Sequence, residues 1–126
     1  MIQAGNESSR DWLKRAQDFL LLAKTRVDIS FSVLLHNARL AGECAIKATL
    51  IEHGINFVKI HDLTALLALL PDAKREEAEE EAAATLNVYS VEDRYPGHGD
   101  PIEDSDLADG IKAATTLIQL AESIIR

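Results

Sequence analysis

Three short stretches hold most of the side chains in this sequence that could do chemistry. They are Glu43 and Lys47, four residues apart; Lys59-Ile60-His61-Asp62; and Arg94-Tyr95-Pro96-Gly97-His98. A guanidinium is planar and always charged, so it suits an oxyanion. A histidine of near-neutral pKa suits proton transfer. A lysine beside a helix start suits a phosphate group. If the three stretches converge, they form an anion-binding or acid–base site. If they do not, they are the charged skin of a helical bundle. Each has a structural counterpart: Glu43–Lys47 is also a favourable helix-surface ion pair, Asp62 is also an N-cap, and Arg94 has Glu92, Asp93 and Asp100 as local partners.

The elements that must position these residues read as helices. Ser8-Ser9-Arg10-Asp11 has the spacing of a capping box. Trp12, Ala16, Phe19, Leu20, Ala23 and Val27 follow as one apolar stripe, which predicts a first helix over 10–27. A second begins near Ser30 and ends at Gly54, a residue that accepts a left-handed backbone. Its apolar face is Leu34, Ala38, Ala41, Ala45, Ala48 and Ile51, where small residues admit a close neighbour. His36, Arg39, Glu43 and Lys47 form a polar stripe on another face.

Asp62 opens a short helix carrying Leu63, Leu66, Leu67 and Leu70, which Pro71 stops. Asp72 is expected to start a fourth helix through the acidic run, with Ala82, Leu86 and Tyr89 facing inward and the glutamates solvated. The stretch 90–103 contains Pro96, Gly97, Gly99 and Pro101 and reads as a long loop, a length that is usually functional or disordered. Asp104 or Ser105 caps the last helix, whose Leu107, Ile111, Ala114, Ile118, Ala121 and Ile125 make a seam along a partner helix. No strand pattern and no internal repeat is present. The expected fold is all-α, an antiparallel bundle of four long helices plus one short helix, in one domain over 1–126.

Composition narrows the classes further. The length of 126 residues suffices for a core without staples. Cys44 is the single cysteine, so an internal disulfide and every multi-cysteine metal motif are excluded. It sits among alanines, where a buried, inert thiol is expected. No histidine pair has the i,i+4 spacing of a helical metal motif, and a zinc site from His61, Asp62 and His98 has little support; no metal and no cofactor is expected. No run approaches the roughly 18 apolar residues of a membrane span, and no secretory leader is visible, so a cytoplasmic protein without membrane attachment is expected. The net charge of −8 argues against a broad nucleic-acid surface. Glu76, Glu77, Glu79, Glu80 and Glu81 supply much of that excess in one run, which leaves room for a local cationic cleft.

Taken together, four stretches make the chain resemble the HEPN superfamily, small helical domains of prokaryotes that also occur in larger eukaryotic proteins. They are Trp12-x3-Ala16-x-Asp18-Phe19, the run Ala41-Gly42-Glu43-Cys44-Ala45-Ile46-Lys47-Ala48, Lys59-Ile60-His61-Asp62-Leu63, and the stretch from Tyr89 to Arg94-Tyr95-Pro96. The resemblance covers nearly the whole chain. It implies a homodimer with bundles side by side. Many members are metal-independent endoribonucleases, often toxins paired with a minimal nucleotidyltransferase antitoxin, and their active site is an Arg followed by four to six residues and a His. On that pattern Arg94 and His98 are the catalytic pair, His98 taking the 2′-hydroxyl proton and Arg94 holding the phosphorane charge. Three residues separate them here, one short of the family spacing. Other members lack the motif and bind nucleotides or act as non-catalytic partners.

Three functions therefore stand open. The first is a nucleotide- or RNA-binding module using Lys47, Lys59, His61, Asp62, Arg94 and Tyr95, working with a nucleotidyltransferase. The second is an endoribonuclease toxin with Arg94 and His98. The third is a non-catalytic protein-interaction partner. The shortened Arg–His spacing ranks binding and partner roles ahead of catalysis.

Overall fold

A computed structural model describes residues 8–25, 28–60, 62–89 and 102–125. It contains helices α1 (Ser9–Ala23), α2 (Phe31–Glu52), α3 (Leu63–Leu67), α4 (Glu77–Asn87) and α5 (Asp104–Ile124), and among the described residues no strand. The all-α arrangement of four long helices and one short one follows the sequence expectation. No helix among the described residues is long and apolar enough to cross a membrane.

Caps account for most boundaries. Ser8 and Asp11 form the expected capping box, each side chain accepting from the other's backbone N–H. Helix α1 closes at Ala23 rather than extending to Val27, which lies outside the described residues. The Lys24 amide finds the carbonyls of Leu20, Leu21 and Leu22, and the Thr25 amide takes the tighter i−3 bond to Leu22. At the end of α2, Gly54 has φ of 70°, Ile55 N–H donates back to Leu50 and Gly54 N–H to Ile51. This is the double bond of a Schellman ending, which needs a left-handed residue at that point.

Two helix starts differ from the sequence expectation. Asp72–Lys74 is a 3-10 turn, and α4 begins only at Glu77. Between them Arg75 is extended, with its Nε donating to the Leu70 carbonyl at 2.9 Å and its guanidinium joining Asp72 and Glu80. Those bonds hold the chain out of helical register until the Glu76–Glu79 capping box restarts it. Glu79 is consequently buried, an exception to the solvated acidic face. Helix α5 is capped by Glu103, not by Asp104 or Ser105, because Asp106 reaches back to the Glu103 amide at 2.9 Å.

Sequential long helices alternate in direction, and the diagonal pair α2 and α5 therefore runs parallel. That diagonal is closed up. A Cβ added at Gly42 of α2 would lie 2.5 Å from Leu86 of α4 and 3.1 Å from Leu117 of α5, and one at Gly110 of α5 would run into Leu35 of α2. Ala38, Ala41, Ala45 and Ala48 of α2 are buried, as are Ala113, Ala114 and Ala121 of α5. Small side chains on both partners allow backbones to approach to about 8 Å, the short end of the helix-packing range. Leu50, Leu63, Leu66, Leu67, Leu86 and Phe57 fill the space around them, each almost wholly buried. Trp12 and Phe19 sit at the margin of this core, partly buried against it. Cys44 is buried.

Candidate functional site

The polar stripe of α2 is turned inward. Lys47 donates to Glu43 Oε2 at 3.0 Å, and Arg39 lies 3.5 Å from Glu43 Oε1, so one carboxylate serves cations a helical turn before and after it. Side-chain exposures are 12% for Arg39, 17% for Glu43 and 9% for Lys47. Aromatic rings complete the surroundings: the Lys47 ammonium stands 5.1 Å from the Trp12 ring centre and 5.7 Å from that of Phe57. Arg15 lies over the Trp12 ring at 4.9 Å. Ring faces are electron-rich and offset part of the cost of removing an ammonium from water. The Glu43–Lys47 pair is thus present at the spacing the sequence implies, but partly buried rather than on the surface.

The head of α3 is the second element. Asp62 Oδ1 accepts from Thr64 N–H at 2.9 Å and Ala65 N–H at 3.3 Å, the expected N-cap. It also accepts from Asn87 Nδ2 at 2.7 Å, while Asn87 Oδ1 accepts from Leu63 N–H at 2.8 Å. The Asn87 amide therefore locks the last residue of α4 onto the first turn of α3. The Asp62 carboxyl is held below its ordinary pKa, first by the Asn87 hydrogen bond, then by the Ala65 and Thr64 amides, with a smaller pull from the Arg39 guanidinium. Lys59 is exposed on the connection leading into α3.

The third element is the base of the 90–101 segment. Tyr89 and Ile102, which flank it, both pack against the Leu34, Leu35 and Leu107 cluster. Tyr89 Oη donates to Asp106 Oδ1 at 3.0 Å, so the capping-box partner of Glu103 also ties down the turn that follows α4. Both ends of the segment return to one place on the bundle. Arg94, Tyr95 and His98 lie outside the described residues, as does His61.

Asp62 and the flanking Tyr89 are thus tied to α4 and α5 through Asn87 and Asp106, while Lys47 sits on α2 with Glu43 and Arg39. Arg39 was legible as a member of the polar stripe. Asn87 was not: it acts through contacts about 25 residues away, and nothing in its local sequence signals them. Among the described residues no group of three His, Cys, Asp or Glu side chains could hold a metal ion.

The HEPN domain family matches residues 9–125. The chain is a HEPN domain. Its fold is shared with TT1696 from Thermus thermophilus, at 25% identity and a TM-score of 0.80, over 93% of this chain and 98% of that one. It is also shared with ST0689, an archaeal HEPN homologue, at 20% identity and a TM-score of 0.76, over 95% and 99%. No curated protein matches the chain in sequence. In this HEPN domain the alanine-rich α2 run quoted above supplies both the diagonal packing face and the Glu43–Lys47 pair, while the Lys59–Leu63 run supplies the capped head of α3.

Proposed function

We propose that this HEPN domain is a nucleotide- or RNA-binding module that works with a minimal nucleotidyltransferase in a toxin–antitoxin-like pair. The observation that supports this reading is the Asp62–Asn87 junction. It ties Asp62, three residues after Lys59, to Asn87 at the end of α4, seven residues before Arg94. Lys59, His61, Arg94 and Tyr95 supply the cations and the stacking surface for a nucleotide. Lys47 and Asp62 shape the site from behind, as a buried charge and a cap. A ligand of the native state raises stability by about 2.7 kcal/mol at a hundredfold excess over its dissociation constant. Thermal melts with ATP, GTP and short RNAs test the reading, and Lys59→Ala and Arg94→Ala should each remove the gain. No shift with any of them would leave the interaction-partner role in its place.

The Tyr89–Asp106 bond favours a second reading, the metal-independent ribonuclease with Arg94 and His98, because a fixed base is what a two-residue catalytic segment requires. RNA cleavage in EDTA, lost in both Arg94→Ala and His98→Ala, is its expected outcome. Cleavage that survives either substitution would remove it.

Homodimerisation belongs to the same proposal. HEPN domains commonly dimerise, and Leu21 and Leu22 remain 66% and 52% exposed at the end of the α1–α2 hairpin where Ile29 and Val33 are also exposed.

A further inference from the structure

We propose that the furrow between α4 and α5 is a docking site for a cationic helix of a partner protein. Two adjoining hollows of about 410 and 480 Å3 run along these helices and share Ala78 and Thr116 in their walls. On α5 the furrow follows Asp109, Lys112, Thr116, Gln119 and Ser123, a three–four repeat that is separate from the core-facing seam. That stretch is about four helical turns long, roughly 21 Å. In the hollow nearer the start of α5 the lining includes Ala78, Ala82, Ala113 and Thr116, small side chains that let another backbone come close.

Charge selects the occupant. Exposed Glu76, Glu81 and Asp109, with the largely buried Glu79 behind them, line the furrow against two cations, Lys74 and Lys112. Exposed Glu77 and Glu80 lie on the same acidic helix, and Arg75 already joins Asp72 and Glu80. A nucleic acid would meet repulsion here. A helix with small residues on one face and Lys or Arg along its flanks fits both the shape and the sign. This assigns a role to Glu81, the furrow-lining member of the acidic run that lies outside the Glu76–Glu79 capping box.

The probe is a synthetic Ala/Lys peptide of about 16 residues, long enough to be helical. It is titrated into the 15N-labelled full chain, with an Ala/Glu peptide of equal length as control. Shifts should concentrate at Ala78, Ala82, Ala113 and Thr116. Ala78→Arg and Glu81→Lys, both at exposed helical positions, should each weaken binding about tenfold while leaving the melting curve unchanged. Absent or scattered shifts, equal binding of the Ala/Glu peptide, or undiminished affinity of both variants would overturn the proposal. So would concentration-dependent shifts of these residues without peptide that Ala78→Arg abolishes, since they would give the furrow to a second copy of this chain.

Discussion

At the scale of residues, Glu43 is the side chain on which the α2 stripe depends, because it balances two nearly buried cations. Removing one partner of a buried pair costs about 3–5 kcal/mol when desolvation is complete. With Glu43 still 17% exposed, about 2–3 kcal/mol is expected for Glu43→Gln, by that same principle discounted for solvent. Lys47→Met should cost less, because Glu43 keeps Arg39 and the new side chain still fills the space against Trp12 and Phe57. Urea unfolding of the two variants checks the order, and a larger loss for Lys47→Met would refute it. Asp62 gives a pH signature. Its native pKa is lowered, so its contribution is fully present above the ordinary carboxylate value of about 4 and is lost as pH falls through the lower native value. Asp62→Asn keeps a capping oxygen, so its deficit relative to wild type should be present at neutral pH and shrink in acid. Asp62→Ala should lose about 1 kcal/mol at neutral pH through the cap itself.

At the scale of elements, the α2–α5 diagonal is set by two glycines. Alanine in place of glycine gains about 1 kcal/mol of helix propensity, whereas overpacking a filled core costs about 1–3 kcal/mol. For Gly42, wedged between Leu86 and Leu117, and for Gly110 against Leu35, the cost of overpacking is the larger. Gly42→Ala and Gly110→Ala should therefore both lower the melting temperature. A stabilised Gly42→Ala would mean that Leu86 and Leu117 rotate away without cost. The Tyr89–Asp106 bond offers a second test at this scale. Tyr89→Phe deletes one hydrogen bond of roughly 1 kcal/mol but keeps the ring in its cluster. If that bond steadies the base of the 90–101 segment, the variant should lose RNA affinity or cleavage by more than its small stability change explains.

For the whole molecule, the apolar residues left unburied matter most. Leu20 packs on the core while Leu21 and Leu22 face outward, so three consecutive leucines leave apolar surface that one bundle does not cover. Leu21→Glu with Leu22→Glu should convert a dimer to a monomer in light scattering with the helical content unchanged. A wild-type protein that is already monomeric at micromolar concentration would remove the dimer. The exposed leucines lie on the α1–α2 hairpin and the acidic furrow lies between α4 and α5. The two surfaces are therefore on different helices, and self-association and partner docking need not compete.

The sequence by itself determined the helices and much of their punctuation. Ser8 with Asp11, Gly54 and Asp62 act locally, through groups no more than about four residues away, and local chemistry is what a linear reading detects. It also determined the Glu43–Lys47 pair, since a spacing of four on a helix fixes proximity. The delayed start of α4 was less legible: Asp72 is a sound helix opener until Arg75 engages Leu70, Asp72 and Glu80. Only the tertiary structure decided that the polar stripe of α2 faces inward, because that depends on where Trp12 and Phe57 arrive. It alone brought Asn87 to Asp62 and closed the diagonal between α2 and α5. These are contacts between residues far apart in the chain, and such contacts are set by which faces pack together rather than by the spacing within any one helix.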